Sequence, residues 1–193
     1  MTTYYIKQDY THRDSITYFD DTKNTDEWQN EVYAHALDIY KKNKLTSVVD
    51  IGTGSGFKLI KYFNDAETLG IDVPETLDWL KKTYPSKKWS SKFESVLGYD
   101  LLISSDVIEH IENPDNLLDL IEQFDPKYIV LSTPDRGLLP EQSQCGPPIN
   151  PTHVREWSFE EFEEYIGNTF DILEHFISNK TQATQVIVAK PRL

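Results

Sequence analysis

Residues 48–60 read VVDIGTGSGFKLI, and the fold turns on how this stretch is read. A β-branched apolar run ends in Asp50, glycines follow at 52, 54 and 56, and the pattern of a helix opening comes next. Strand, glycine turn and helix in that order bring backbone close to a ligand. Glycine takes positive φ without a Cβ clash, and the first turn of a helix offers free N–H groups.

The ligand class follows from what the turn lacks. A dinucleotide fingerprint needs G-x-G-x-x-G or a closing alanine, and here the sixth position is Phe57, whose ring obstructs close helix–strand packing and pyrophosphate approach. A nicotinamide dehydrogenase is therefore the weakest reading. The spacing is G-x-G-x-G, and Asp72 lies about 20 residues on, where an acid at a strand end binds a ribose hydroxyl pair. A ribose acid without a pyrophosphate cradle points to a nucleoside cofactor with a non-phosphate tail.

Outward from the turn, strands and helices alternate. Strands are expected at Leu45–Ile51, Thr68–Asp72, Lys88–Ser90, Asp100–Ser105 and Tyr128–Leu131. Helices are expected from Gly56 to Phe63, from Pro74 to about Lys82, and after Asn113-Pro114, where Leu117, Leu120, Ile121 and Phe124 recur at helical spacing. Strands apolar on both faces argue a parallel sheet covered on both sides. Ser158-Phe-Glu-Glu161 has the form of a capping box. The runs Phe170–Ile177 and Thr184–Ala189 leave no room for a crossover helix, so they form an antiparallel hairpin at the sheet edge. Residues 1–42 hold a polar lead and a helix expected from Thr25, with Trp28, Val32, Ala36, Leu37 and Tyr40 facing the sheet. Residues 132–157, with prolines at 134, 140, 147, 148 and 151, form a long loop of the kind that closes over sites.

The 193 residues read as one α/β domain, and 38% hydrophobic content suffices for a sizeable core. Net charge is −13 with no basic run, which disfavours DNA and other long polyanions as partners. No apolar stretch has the length of a signal core or a membrane span, and Cys145 is the single cysteine, so a cytoplasmic location is expected. The oligomeric state stays open.

Four pieces of the chain, VVDIGTGSG (48–56), LGID (69–72), DLLISSDVIEHIENP (100–114) and LSTPDR (131–136), resemble the class I S-adenosylmethionine-dependent methyltransferases, over roughly residues 45–190. The resemblance implies a Rossmann-like, doubly wound seven-stranded sheet with its last strand antiparallel and helices on both faces. It also implies S-adenosyl-L-methionine as cofactor. Asp50, Gly52, Thr53, Gly54, Ser55 and Gly56 would surround its methionine part, Asp72 would hold the ribose, and Ser105 and Asp106 would line the methyl end. Phe93 and Glu94 are the nearest match for the residues that meet adenine.

An oxygen acceptor must lose a proton, so a base near the ends of strands four and five is expected, and His110 and His153 are the candidates. In DVIEH, one helical turn would place Asp106, Glu109 and His110 on one face, with His153 a possible fourth ligand for a divalent metal. Small-RNA 2′-O-methyltransferases and ubiquinone-pathway O-methyltransferases have a related acid-x-x-Glu-His layout. Aspartate at 106, where glutamate is usual, reaches less far and makes the metal the less favoured expectation. Arg155 and Glu156 are expected to pair on the loop or to be solvated. Tyr10, Arg13, Tyr18, Trp28 and Gln29 are candidates for covering the cofactor and selecting the acceptor.

The expected function is methyl transfer to a small-molecule acceptor, an oxygen of a sugar or secondary metabolite. A metal-assisted RNA-end 2′-O-methyltransferase and a non-catalytic cofactor-binding partner subunit are the alternatives.

Overall fold

A computed structural model describes residues 4–14, 16–17, 20–92 and 98–192. Tyr18, Phe93 and Glu94 lie outside the described residues. The elements run α1 (Asn30–Lys42), β1 (Ser47–Ile51), α2 (Phe57–Phe63), β2 (Glu67–Ile71), α3 (Pro74–Thr83), β3 (Lys88–Ser90), β4 (Leu101–Ser105), α4 (Asp115–Phe124), β5 (Tyr128–Pro134), α5 (Phe159–Gly167), β6 (Phe170–Asn179) and β7 (Thr184–Pro191).

They build one seven-stranded sheet in the order β3-β2-β1-β4-β5-β7-β6. The pairs among β1 to β5 are parallel, whereas β7 runs antiparallel to both β5 and β6. The order reverses beside β1, so the C-terminal ends of β1 and β4 diverge and leave a crevice there.

Alternate residues of each central strand serve opposite faces. Val49, Leu102, Ile129 and Ile187 pack with Leu117, Ile121, Phe162 and Ile166 from α4 and α5. Val48, Leu101, Ile103, Val130 and Val188 pack with Val32, Ala36, Leu59 and Leu80 from α1, α2 and α3. Helices therefore cover both faces, as the twofold apolarity of the strands requires. The capping box at the start of α5 has both of its bonds, Ser158 Oγ accepting from the Glu161 N–H and the Glu161 carboxylate accepting from the Ser158 N–H.

Three local expectations are corrected. The first helix begins at Asn30 and not at Thr25, because Gln29 takes a left-handed φ of 58° and the Thr25 N–H is held by the Glu27 carboxylate at 2.7 Å. Trp28 is consequently 49% exposed and does not pack on the sheet. DVIEH is not one helical turn: Asp106 has φ 53°, and only Ile108–His110 form a short 3-10 turn. The loop after Leu131 is less free than its prolines suggest, since β5 continues to Pro134, opposite Thr184.

The rest of that loop is laced to the N-terminal segment. Backbone bonds join Thr11 N to Cys145 O at 2.8 Å and Arg13 N to Val154 O at 2.7 Å. Tyr10 Oη accepts from the Glu156 N–H at 3.0 Å, and the Arg136 guanidinium, itself on both Glu161 oxygens at 2.6 Å, stacks 4.5 Å from the Tyr10 ring centroid. The two segments form one cover over the C-terminal ends of the strands.

Candidate active site

Under this cover lie two cavities of about 620 and 510 Å³. They share Asp21, Gly52, Asp106 and His110, so these four residues stand at the junction. The first runs along the turn after β1 and past β2; Gly54 and Asp72 line it beside an apolar wall that includes Ile71, Val73, Ile111, Leu117 and Leu120. The second is more polar and includes Tyr33, Thr53, Lys58, Ser105, Glu109, Asn150, His153 and Glu156.

The glycine turn is shaped by three left-handed residues, Gly52, Gly54 and Gly56, with φ of 73°, 54° and 68°. They serve different ends. A Cβ on Gly52 would sit 2.3 Å from a Val107 methyl, and one on Gly54 would sit 2.2 Å from the Asp21 carboxylate, so both face the junction. A Cβ on Gly56 would meet Leu80 and Trp89 at 2.9 Å, which makes this glycine a packing requirement on the helical side. Ser55 and Gly56 line neither cavity.

Asp50 also stands behind the turn. It is fully buried and accepts from the Tyr33 hydroxyl at 3.0 Å and the Thr53 hydroxyl at 2.8 Å. Burial pushes its carboxyl up to about 7 against those two bonds. Asp72, by contrast, is at the wall of the first cavity, where it accepts from the Gly54 N–H at 2.6 Å and the Val73 N–H at 2.8 Å. One carboxylate thus braces the turn from beneath while the other ties its crest to β2.

Past β4, Ser105 and Asp106 are knitted to β5. Ser105 Oγ and Ser132 Oγ lie 2.8 Å apart, and the Ser132 hydroxyl donates to Asp106 Oδ1 at 2.6 Å. Gln29 Nε2 donates to Asp106 Oδ2 at 2.9 Å. Both oxygens of Asp106 are therefore engaged, and the side chain stands apart from the group of Glu109, His110 and His153, whose ligand atoms lie within 4.8 Å of one another. With Asp106 in a left-handed conformation, it does not share a helical face with Glu109 and His110.

The two histidines differ. His110 Nδ1 is 2.8 Å from the Thr152 carbonyl oxygen, which fixes Nδ1 as the protonated nitrogen and leaves Nε2 a lone pair. Burial lowers its pKa, so the ring is neutral near pH 7. His153 has both nitrogens bonded, Nδ1 to Glu156 Oε1 at 2.8 Å and Nε2 to Asn150 Nδ2 at 2.9 Å. Asn150 Oδ1 accepts from the Thr152 N–H and hydroxyl, which turns its NH₂ toward His153 and fixes Nδ1 as the donor to Glu156.

Beside them Glu109 is fully buried, with its carboxyl pushed up to about 8 by burial and then by the nearby Asp106. Thr133 Oγ1 donates to its Oε2 at 3.0 Å, while its Oε1, like Glu156 Oε2, has no hydrogen-bond partner among the described residues. Arg155 and Glu156 neither pair with each other nor meet solvent; at 4% and 2% exposure both are buried, and Arg155 donates to the carbonyls of Ile111 and Glu112 at 2.8 and 2.7 Å. That anchor holds the loop against the 3-10 turn bearing His110.

Tyr10 and Arg13 serve the cover, through Glu156 and through the Pro148 carbonyl that Arg13 bonds at 2.5 Å, whereas Trp28 and Gln29 line the second cavity. Asp21, Tyr33 and Lys58 were missed by sequence reasoning. Lys58 carries the one usable signal, a cation in the first turn of the helix that follows the glycine turn. Asp21 and Tyr33 come from separate segments and carry none.

Comparison with known proteins agrees with this geometry. A family model described as a methyltransferase domain matches residues 23–175, and the chain belongs to that family. It is an S-adenosylmethionine-dependent methyltransferase. Among solved structures, the methyltransferase domain of bacterial CtHen1-C aligns with a TM-score of 0.64 at 20% identity, covering 85% of this chain and 98% of that one. An S-adenosylmethionine-dependent methyltransferase from Aquifex aeolicus aligns at 0.63 and 18% identity, over 91% and 100% of the two chains. Magnesium protoporphyrin IX methyltransferase from Synechocystis PCC 6803, with bound S-adenosylmethionine, aligns at 0.59 and 14% identity, over 84% and 79%. At such identities the likeness is one of fold. No curated protein matches the chain in sequence.

Proposed function

We propose that the protein methylates an oxygen of a small metabolite, a sugar or related secondary metabolite, held in the second cavity while the cofactor occupies the first. The observation that carries this reading is His110: it lines both cavities, and its Nδ1 bond to Thr152 leaves Nε2 free as a base at their junction.

Asp72 would take the ribose hydroxyls and the apolar wall the adenine in the first cavity, while the amino-acid tail and methyl would run past Gly54 and cross the junction at Gly52 and Asp106 into the near end of the second, where Thr53 and Ser105 line it. Asp50, Ser55 and Gly56 support the turn from behind. Bound S-adenosylmethionine would supply an electrophilic methyl to the acceptor oxygen, with S-adenosylhomocysteine as the leaving group, and the hydroxyl proton would pass to His110 Nε2. Alignment of the two reactants supplies much of the rate. His153 orients the loop that holds His110. Residues 1–193 then act as one domain, with 1–42 and 132–157 as its cover. Among the described residues no helix is long and apolar enough to cross a membrane; with the single Cys145, that supports a cytoplasmic setting. The test is conversion of S-adenosylmethionine to S-adenosylhomocysteine with a panel of hydroxylated metabolites, with His110→Ala as control. Cofactor binding without turnover on any of them would favour a non-catalytic partner subunit.

A second reading has its own support, the unpartnered Glu109 Oε1 buried beside His110. Glu109, His110 and His153 fit a divalent cation in donor type and proximity, although Asn150 must then release His153 Nε2. A bound cation lowers the pKa of an oxygen it touches. An RNA-end 2′-hydroxyl acceptor belongs to this reading, and Asp21, Asp106 and Glu156 in the lining oppose it. Calorimetric titration with Mn²⁺ separates the two readings, since only the second expects saturable binding that His110→Ala abolishes.

A further inference from the structure

Lys58 is 7% exposed and lines the second cavity but not the first. Its ammonium has one long contact, the Thr25 carbonyl oxygen at 3.5 Å, and stands 5.9 Å from the Tyr33 ring centroid. Among the described residues no carboxylate lies within ion-pairing distance of it, although its charge favours the ionised forms of Asp21 and Asp50 nearby. Lys61, one turn further along the same helix, shows the ordinary alternative: it reaches solvent and pairs with Asp26 at 2.6 Å. An ammonium withdrawn from water carries a desolvation cost that close acceptors must offset, and one distant carbonyl leaves most of its three donors unmet.

The surroundings give that ammonium a direction. Among the described residues no other lysine or arginine lines either cavity, whereas Asp21, Asp72, Asp106 and Glu156 all do. An anionic group entering this acid-lined space is repelled along most of the wall and attracted at one point. Asp72 and the apolar wall line the other cavity, so the attractive point lies away from the adenosine end, in the cavity where the acceptor would bind and where Thr53 and Ser105 would meet the cofactor's tail and methyl.

We propose that the methyl acceptor carries an anionic group, a carboxylate or a phosphate, and that Lys58 binds it in the second cavity. This rests on the reading of that cavity as the acceptor site, and narrows the substrate to an acidic hydroxylated metabolite with its acid at Lys58 and its reacting hydroxyl toward His110. The cofactor's own amino-acid carboxylate offers the same chemistry, so the experiment must tell the two apart.

Wild-type, Lys58→Gln and Lys58→Arg proteins, each saturated with S-adenosylhomocysteine, are titrated calorimetrically with two matched pairs: glucuronate against glucose, and 3,4-dihydroxybenzoate against 3,4-dihydroxybenzamide. The wild type and the arginine variant should bind an acid at least tenfold more tightly than its neutral partner, and the glutamine variant should show no preference. Equal affinity within both pairs, no binding of either acid, or a preference that survives in Lys58→Gln overturns the proposal. The wild-type comparison decides by itself if the glutamine variant does not fold. In a second arm, S-adenosylhomocysteine and 5′-methylthioadenosine, which lacks the amino-acid carboxylate, are titrated into the unloaded proteins. Both affinities should stay within twofold in Lys58→Gln; a loss confined to S-adenosylhomocysteine assigns the ammonium to the cofactor and overturns the acceptor assignment. If His110→Ala abolishes turnover while no acid preference exists, this inference alone fails; an acid preference with turnover untouched by His110→Ala removes the base and leaves the anion site.

Discussion

His110 Nδ1 lies 2.8 Å from the carbonyl oxygen of Thr152, so a residue of the long loop sets the tautomer of a histidine at the end of β4. Burial favours the neutral ring, and the Thr152 bond then leaves the lone pair on Nε2. The same loop is fixed by Arg155 on the Ile111 and Glu112 carbonyls, so the cover and the proposed base are held together. His110→Ala should lower turnover about 10²–10⁴-fold, the range for loss of a positioned base, with S-adenosylhomocysteine affinity little changed. Steady-state turnover and a calorimetric titration check the two halves. Equal loss of affinity and rate would instead assign His110 to cofactor binding.

Asp72→Ala should weaken S-adenosylhomocysteine binding by about 1.5–3 kcal/mol, roughly ten- to 150-fold, through loss of charge-assisted hydrogen bonds. The carboxylate also accepts from the Gly54 N–H, so part of the loss comes from a loosened turn. 5′-Methylthioadenosine keeps the ribose and should lose affinity in parallel. Unchanged binding of both compounds would remove the ribose assignment.

Gly56→Ala should destabilise the protein by about 1–3 kcal/mol, because its left-handed φ penalises a side chain and the new methyl meets Leu80 and Trp89. Denaturant midpoints measure this. Gly54→Ala carries the same left-handed strain but its methyl meets the end of a flexible carboxylate, Asp21, so its midpoint should fall less than that of Gly56→Ala while cofactor affinity falls as well.

Asp50 gives stability a pH dependence of known sign. Its carboxyl is raised from 3.8 to about 7 by burial, so the folded state holds its proton where the unfolded chain has released it. The stabilising contribution is fully present below about pH 4 and is lost as pH rises through 7. Asp50→Asn removes the dependence. The stability of the variant relative to wild type should rise between pH 5 and pH 8 in urea unfolding; a difference constant with pH would mean that Asp50 does not titrate there.

Much of the fold was legible because it rests on local patterns: apolar runs, a proline at the start of α3, a capping box, and a hairpin too short for a crossover. The sequence likewise pointed to Gly52, Gly54 and Asp72, since the turn and the strand end carry their own chemistry. What escaped it depends on distant partners. Gln29 and Asp106 take left-handed conformations with no glycine to announce them, which shortened α1 and broke the expected Asp106–Glu109–His110 face. The burial of Arg155 rests on two carbonyls more than 40 residues away in the chain, and no composition rule reports that. Asp21 reaches the junction from a stretch without periodicity, and Tyr33 reads as an ordinary core residue of α1 until its hydroxyl is seen on Asp50.

The most direct test is a crystal structure with S-adenosylhomocysteine bound. The ribose hydroxyls should lie within hydrogen-bonding distance of Asp72, and the sulfur should face the second cavity between Asp106 and His110. A ribose placed away from Asp72, or a sulfur turned from His110, would contradict the assignment of both cavities.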